Sequence, residues 1–229
     1  MADPDQKAAG GEPVGGTVFL VDDDLSVLRA LTRLLRAAGF AVTSFPSAAS
    51  FLEASLPDQG PCCLLVDLKM PGKSGLELQE ALAERGLQLS IVFISAHANF
   101  DSGIRALKGG ALDFLRKPVS ERDLMGAVER ALAHDRVSRA DRHERETLEA
   151  RLLQLTPRER EVFVLVTSGL ANKVVAADLG AAEATIKIHR ARVMTKMAAT
   201  SVADLVRMAD KLGLGNAVAP DPTRQPIER

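Results

Sequence analysis

The segment "CLLVDLKMPGKSG" (Cys63–Gly75) decides the fold of the first part of the chain. It begins with consecutive apolar residues, which are typical of a strand buried on both faces of a sheet. Asp67 follows at once, before residues that favour a turn and the start of a helix. A carboxylate at the mouth of an apolar strand is costly unless something uses its charge. The segment therefore predicts a buried strand with a functional carboxylate at its end.

Strand-like and helix-like patterns alternate around this segment. The apolar, strand-like stretches are residues 17–21, 41–45, 62–66, 90–94 and 111–115, and a helical pattern follows each of them. This alternation predicts an α/β fold with a parallel sheet that helices cover on both faces. Sheets of this kind bind ligands outside the carboxyl ends of their strands.

Polar residues follow four of the predicted strands, and they are Asp22, Asp23, Asp67, Ser95 and Lys117. We expect the neighbouring Asp24 to act as the N-cap of the next helix. Several carboxylates at one sheet edge repel one another and suit Mg²⁺, whereas a lysine and a serine suit the oxygens of a phosphoryl group. Each residue alone also fits an ordinary role as a helix cap, a loop hydroxyl or a solvated charge. Their occurrence at four strand ends indicates a phosphoryl pocket.

The composition excludes several classes of protein. No apolar stretch approaches the roughly 20 residues of a membrane span, and the N-terminus lacks the apolar region of a secretory signal. Cys62 and Cys63 adjoin within an apolar run, so we expect reduced core residues on opposite faces of a strand in a cytoplasmic protein, and no metal site. Segments 1–15 and 214–229 are predicted to be disordered.

The second part of the chain is predicted to be helical. The stretch Asp135–Thr147 has eight charged residues in thirteen and no Gly or Pro, which favours a solvated helical connector. Thr156-Pro157-Arg158-Glu159 has the form of a capping box with proline at the first helical position. Three further helices are predicted, the last starting at Ser201. These patterns indicate a second, all-α domain.

Residues 171–197 have the layout of a helix-turn-helix. A short helix, a turn around Gly180 and a longer basic helix follow one another, and Ile186, Val193 and Met197 form the buried stripe of the longer one. Residues 151–211 carry 10 Lys and Arg against 6 Asp and Glu, whereas residues 1–120 carry 11 against 14. The basic excess is compatible with nucleic acid, and the alternative is a charged, solvated helix face.

The first part resembles the receiver domain of two-component response regulators in Asp22-Asp23, in "VDLKMPGKSG", in Ser95 followed by Ala96 and in "DFLRKP". The resemblance covers about residues 17–133 and implies a flavodoxin-like sheet of order 2-1-3-4-5. It implies that Asp67 accepts a phosphoryl group from a sensor histidine kinase. The resemblance further implies that Lys117 binds the phosphoryl oxygens ahead of a cis bond to Pro118. It assigns switch roles to Ser95 and Phe114, and a Mg²⁺ site to Asp22, Asp23, Asp67 and the carbonyl of Lys69.

The second part, about residues 151–212, resembles the LuxR-type four-helix DNA-binding domain in "LTPREREVFVLVTSGLANKVVAADLG" and "TIKIHRARVMTKM". The pairing of domains is similar to FixJ/NarL-type regulators, and "HRARVMTKM" and "LVRMA" are most similar to the FixJ branch. The resemblance implies contact with double-stranded DNA by Lys173, Thr185, Lys187, Ile188, His189, Arg190, Ala191, Arg192 and Lys196. Two departures from the family are Ala182, where a serine cap is common, and the short Ala191. We therefore expect sparse base readout and a steep salt dependence of binding.

The expected function is that of a phosphorylation-activated transcriptional regulator, which dimerises when phosphorylated and has RNA polymerase as a further partner. Its only enzymatic chemistry would be its own phosphoryl transfer and dephosphorylation at Asp67. One alternative is a haloacid-dehalogenase-type phosphatase, because "VDDDLS" loosely resembles that nucleophile motif with Asp22 as nucleophile and Asp24 as acid/base. Another is a receiver that signals by partner binding without phosphorylation. The expected division is a receiver at 16–134, a connector at 135–150 and a helix-turn-helix domain at 151–213.

Overall fold

The computed structural model describes residues 15–55, 60–96 and 100–214. Within it the chain forms two compact units that divide between Arg139 and Ala140, inside the stretch predicted as the connector. The segments predicted as disordered tails lie outside the described residues, apart from Gly15 and Leu214. None of the described helices has the length and apolar character that crossing a membrane requires.

The first unit is built on a five-stranded parallel sheet of order β2-β1-β3-β4-β5. The strands are β1 (Thr17–Val21), β2 (Ala41–Phe45), β3 (Cys62–Asp67), β4 (Ser90–Ser95) and β5 (Asp113–Arg116). The helices that alternate with them are α1 (Leu25–Ala37), α2 (Ala48–Glu53), α3 (Gly75–Glu84), α4 (Phe100–Lys108) and α5 (Glu121–Leu153). The predicted parallel α/β fold and its strand order are confirmed.

The fifth strand lies later in the chain than the predicted 111–115. Gly110 has a left-handed backbone (φ +94°) that ends α4, and residues 111 and 112 return the chain to the sheet. Leu112 donates its N–H to the carbonyl of Ile91, but register pairing with β4 starts only at Asp113. Ala111 and Leu112 are apolar because they pack against the helices on either side of the sheet.

Two apolar cores cover the two faces of this sheet. Alternate strand residues point to opposite faces, so Cys62 packs in one core with Phe19 and Phe93, while Cys63 packs in the other with Leu20. Both cysteines are free and buried, as predicted. β3 is buried along its whole length, so packing on both faces fixes the position of its carboxyl end. Asp67 is the last residue of β3 and lies at this end.

Local capping explains where the helices begin. The side chain of Asp24 accepts hydrogen bonds from the N–H groups of Ser26 and Val27, which confirms the predicted N-cap of α1. A capping box of Ser74 and Glu77 starts α3 directly after the turn that follows Asp67. The strand ends and helix starts of the site are therefore set by hydrogen bonds within a few residues.

The second unit contains the end of α5 and the helices α6 (Pro157–Thr167), α7 (Asn172–Asp178), α8 (Glu183–Met197) and α9 (Val202–Lys211). The predicted capping box of Thr156 and Glu159 is present, and Ala182 caps α8 with no side-chain hydrogen bond, as expected. Ile186, Val193 and Met197 are buried in the core of this unit, which confirms the predicted stripe.

The prediction of a wholly solvated connector is wrong at its first residue. The stretch is helical as predicted, being part of α5, but the carboxylate of Asp135 is buried in the first unit. It accepts hydrogen bonds from the Cys62 N–H at 2.8 Å and from Arg139 Nε at 2.7 Å. Burial is tolerated because two donors and an opposite charge replace water around the carboxylate.

Candidate functional site

Three of the predicted site residues converge at the carboxyl edge of the first sheet. Lys117 Nζ lies 2.6 Å from Asp22 Oδ2 and 2.8 Å from Asp67 Oδ1, although these residues come from three different strand ends. Both carboxylates are buried, and Asp67 Oδ2 also accepts a hydrogen bond from the Lys69 N–H at 2.8 Å. One ammonium group thus holds two carboxylates in a pocket with little water.

Burial and the shared lysine act in opposite directions on the ionisation of Asp67. Burial is the largest influence and raises the pKa of this carboxyl group, as does the nearby charge of Asp22, whereas Lys117 and the Lys69 N–H oppose the rise. Burial lowers the pKa of Lys117, but its hydrogen bonds to Asp22 and Asp67 outweigh this, so its pKa is raised. Lys117 therefore stays cationic and supplies a fixed positive charge to the pocket.

The remaining pocket residues lie on β4 and β5. Ser95 is buried at the end of β4, and its backbone carbonyl accepts a hydrogen bond from the Lys117 N–H at 2.8 Å. Phe114 is half-buried, and its ring stacks on Phe93 with centroids 6.4 Å apart. The Lys117–Pro118 peptide bond is cis, as predicted.

The predicted magnesium ligands do not form a preformed metal site. Among the described residues, no three His, Cys, Asp or Glu side chains lie close enough together to hold a metal ion. Asp23 is exposed, and the Lys69 N–H donates a hydrogen bond to Asp67 Oδ2. The buried Asp22 and Asp67 nevertheless carry one more negative charge than Lys117 offsets, and carboxylate oxygens are the ligands that Mg²⁺ prefers. Asp22 and Asp67 therefore have the chemistry that Mg²⁺ requires, although the full set of predicted ligands is not gathered around one point.

The hydrogen bonds of Asp24 argue against the acid/base role that the phosphatase alternative assigns to it. Its carboxylate is engaged as the cap of α1, and the hydrogen bond from the Ser26 hydroxyl, followed by those from two backbone N–H groups, lowers its pKa. A general acid needs a pKa near the operating pH, so the shift is in the wrong direction for that role.

Most of the predicted DNA-contacting side chains lie on the open face of α7 and α8. The exposed members of the set are Lys173, Thr185, Lys187, Ile188, Ala191 and Arg192. Ile188 is 55% exposed, so its apolar side chain is accessible to a ligand. Lys187 forms an exposed ion pair with Glu183 at 3.3 Å, so it remains accessible to a ligand.

Three other members of the predicted set, His189, Arg190 and Lys196, are only partly exposed. Arg190 Nη1 donates to Asn172 Oδ1 at 2.9 Å, and His189 is half-buried with a buried Nδ1 that has no hydrogen-bond partner. Lys196 Nζ lies 2.6 Å from Glu159 Oε2 and donates to the Gln154 carbonyl at 3.1 Å. The structure does not bring these three to the exposed face.

Sequence reasoning missed the ion pairs that long-range packing creates. The capping box identified Glu159 as a local helix cap, but nothing in the spacing pointed to Lys196, which lies 37 residues later. The hydrogen bond from Lys196, followed by that from the Thr156 N–H, lowers the pKa of Glu159 to about 2. The charge of Asp135 likewise appeared to belong to a solvated stretch, and only the α/β packing reveals its buried partners.

Comparison with known proteins agrees with the two-part organisation. Residues 18–129 match the response regulator receiver domain, and residues 153–209 match the bacterial regulatory proteins of the luxR family. These ranges contain the acidic pocket and the exposed face of α8, respectively.

Relatives and solved structures share both parts. The chain is 43% identical to nodulation protein W of Bradyrhizobium diazoefficiens over 92% of this chain and 93% of that protein. It is 40% identical to transcriptional regulatory protein FixJ of Azorhizobium caulinodans over 90% of this chain and 97% of that protein. The structure of response regulator StyR has 44% sequence identity and a TM-score of 0.75 over 86% of this chain and 100% of that one. The chain therefore belongs to the response regulators of the FixJ/NarL type, which join a receiver domain to a LuxR-type DNA-binding domain.

Proposed function

We propose that this response regulator is activated by phosphorylation of Asp67, with a sensor histidine kinase as the donor, and that it then binds promoter DNA. The observation that carries the proposal is the shared contact of Lys117 with Asp22 and Asp67 in a buried pocket. A carboxylate oxygen of Asp67 would attack the phosphorus of the kinase's phosphohistidine, and the P–N bond would break so that the imidazole leaves and an acyl phosphate forms. Water would later attack this phosphorus, which releases inorganic phosphate and restores the Asp67 carboxylate. Both steps would be the regulator's own self-directed chemistry.

Each pocket residue has a separate part in this proposal. Asp22, Asp23, Asp67 and the carbonyl of Lys69 would hold Mg²⁺, which offsets the charge of the incoming phosphoryl group. Lys117 would bind phosphoryl oxygens through the charge that it already presents. The hydroxyl of Ser95 would complete the set of donors, and Phe114 would turn further inward behind it.

Phosphorylation would act by shifting an equilibrium between two arrangements of the receiver. An acyl phosphate adds roughly two negative charges and three acceptor oxygens, which Lys117 and Ser95 can bond in only one arrangement of their loops. We propose that this arrangement favours a homodimer through the face of α4 and β5. Two helix-turn-helix domains would then bind a two-fold DNA site in the cytoplasm and engage RNA polymerase.

The DNA contacts would come from the exposed face of α7 and α8. Lys187 would bond base-edge acceptors and Ile188 would pack on a thymine methyl group, while Lys173 and Arg192 would bind phosphates. Thr185 and Ala191 complete this face, and His189, Arg190 and Lys196 border it. The side chain of Ala191 is short and can make few base contacts. The affinity for DNA would therefore depend mainly on phosphate contacts and on dimerisation.

The test is labelling of the full chain with acetyl phosphate and Mg²⁺. The wild-type protein is expected to take up one phosphoryl group and to bind DNA more tightly afterwards. Asp67→Asn keeps the shape of the side chain but removes the nucleophilic oxygen, so labelling and the gain in DNA binding should both disappear. Labelling that persists in this variant would refute the assignment. Wild-type protein that binds DNA normally without any labelling would support a receiver that signals through partner binding alone.

A further inference from the structure

A buried amide connects α3 to the end of α4. The side chain of Gln79 on α3 is 6% exposed, and its Nε2 donates to the backbone carbonyl of Ala106 at 3.1 Å. That carbonyl also accepts the N–H of Ala111 at 3.0 Å, a bond that closes the end of α4. A leucine would fill the same space without the desolvation cost of an amide. The hydrogen bond from Gln79 thus ties the end of α4 to α3 in an apolar setting.

Gly109 is shaped to accommodate this amide. A Cβ atom built on Gly109 would lie 2.7 Å from Gln79 Oε1 and 2.9 Å from its Cδ, which is closer than side-chain carbons approach. The left-handed backbone that ends α4 is at Gly110, not at Gly109. The missing side chain at Gly109 is thus explained by the room that Gln79 needs, and the two residues form one packing unit.

The same face of α3 reaches the phosphoacceptor strand. Gly75 lies one turn before Gln79, and a Cβ on Gly75 would collide with the backbone carbonyl of Asp67. The segment beyond Gly109 leads through β5 to Lys117, whose Nζ touches Asp67 Oδ1. A phosphoryl group bound to Asp67 would place phosphorus and oxygen atoms between these two groups, so Lys117 and the segment that carries it must shift.

We propose that Gln79 is a positioning residue that stabilises the arrangement in which Lys117 bonds directly to the Asp67 carboxylate. The hydrogen bond to Ala106 holds the end of α4, and through it β5, against α3, whose first residue Gly75 lies close to the carbonyl of Asp67. Losing this bond favours the arrangement in which Lys117 has moved to receive a phosphoryl group. The inference rests on the proposed phosphorylation of Asp67.

The experiment measures the rate of labelling by acetyl phosphate with Mg²⁺ in the full chain. Gln79→Leu keeps the volume and removes the donor, and Gln79→Met serves the same purpose if the leucine variant does not unfold cooperatively. Because one hydrogen bond is removed, the labelling rate should rise roughly two- to tenfold while the thermal unfolding midpoint falls. A purely structural role would lower the midpoint without raising the rate.

Substitution of Gly109 is a second way to remove the hydrogen bond between Gln79 and the Ala106 carbonyl. Gly109→Ala should displace the amide and raise the labelling rate as Gln79→Leu does. In a Gln79→Ala background the added methyl group has room, so Gly109→Ala should change the rate no further. An unchanged or lower rate in Gln79→Leu or Gln79→Met, with wild-type protein labelled normally, overturns this inference and leaves the proposed function intact. Absence of labelling in the wild-type protein overturns both.

Discussion

The ion pair between Lys196 and Glu159 offers a sharp test of how α8 is used. Lys196→Met removes the ammonium group while keeping most of the side-chain length. In the structure Nζ lies 2.6 Å from Glu159 Oε2, and the side chains are 33% and 3% exposed, respectively. The substitution leaves a buried carboxylate that retains its hydrogen bond from the Thr156 N–H at 2.9 Å.

The expected cost follows from this geometry. Removing one partner of a fully buried ion pair destabilises a protein by about 3–5 kcal/mol. The remaining hydrogen bond to Glu159 and the partial exposure of Lys196 reduce the penalty, so we expect a loss of about 2–3 kcal/mol in the free energy of unfolding. The measurement is urea unfolding of the full chain followed by far-UV circular dichroism. The double variant Lys196→Met/Glu159→Gln should recover part of the loss, since no unpaired charge remains.

Salt-dependent DNA binding separates a structural lysine from a phosphate contact. If Lys196 acts mainly inside the second unit, Lys196→Met should leave the slope of log affinity against log salt unchanged. Lys173→Met is the matched control, because Lys173 is exposed on α7 and is proposed to bind a DNA phosphate. That variant should lower the slope by about one with a stability change below about 1 kcal/mol. The reasoning is refuted if Lys196→Met lowers the slope by about one and leaves the unfolding curve unchanged.

Three further outcomes are expected. In the folded protein the pKa of Glu159 is lowered from its ordinary 4.5 to about 2, so its contribution to stability is complete above about pH 4.5 and is lost as the pH falls towards 2. In Glu159→Gln the free energy of unfolding, measured as a function of pH, should not show this decrease. Gly75→Ala should destabilise the protein by about 1–3 kcal/mol, because the added methyl group would collide with the carbonyl of Asp67. In Gly103→Ala the methyl group would meet nothing within 4 Å, so this variant of α4 should stabilise the protein by up to about 1 kcal/mol. Melting temperatures of the two variants that shift in the same direction would contradict this. Asp135→Asn should cost about 1–3 kcal/mol in urea unfolding, because two buried hydrogen bonds lose their charged acceptor, and an unchanged midpoint would show that the burial is unimportant.

Much of the fold could be predicted because the signals for it are local. Strand-like runs of five residues followed by helical patterns identified the strands. Asp24, Thr156 and Ser201 identified helix starts, since their side chains accept hydrogen bonds from N–H groups two or three residues later. Strand five starts two residues later than predicted because Ala111 and Leu112 are apolar for packing and precede the register pairing with β4. Apolar character alone does not distinguish these two causes.

The candidate pocket was predictable for a different reason. Parallel strands deliver their carboxyl ends to one edge, so polar residues after separate strands must approach one another whatever the details of packing. The sequence alone therefore predicts that Asp22, Asp67 and Lys117 lie near one another. Only the structure shows that Lys117 contacts both carboxylates at once and that the N–H of Lys69 donates to Asp67.

The sequence by itself determined the parallel α/β class of the first part, the acidic edge of its sheet and the helical character of the second part, since each depends on residue type and short-range spacing. Only the tertiary structure decided which charges are buried and with what partner. Asp135, Glu159 and Lys196 have the same local surroundings as solvated charges, yet each is held by a group from a distant part of its own unit. Gln79 is likewise an ordinary helix residue in the sequence and becomes a buried contact only when α4 packs on α3. Burial is a property of neighbours in space, and neighbours separated by tens of residues leave no periodic signal in the chain.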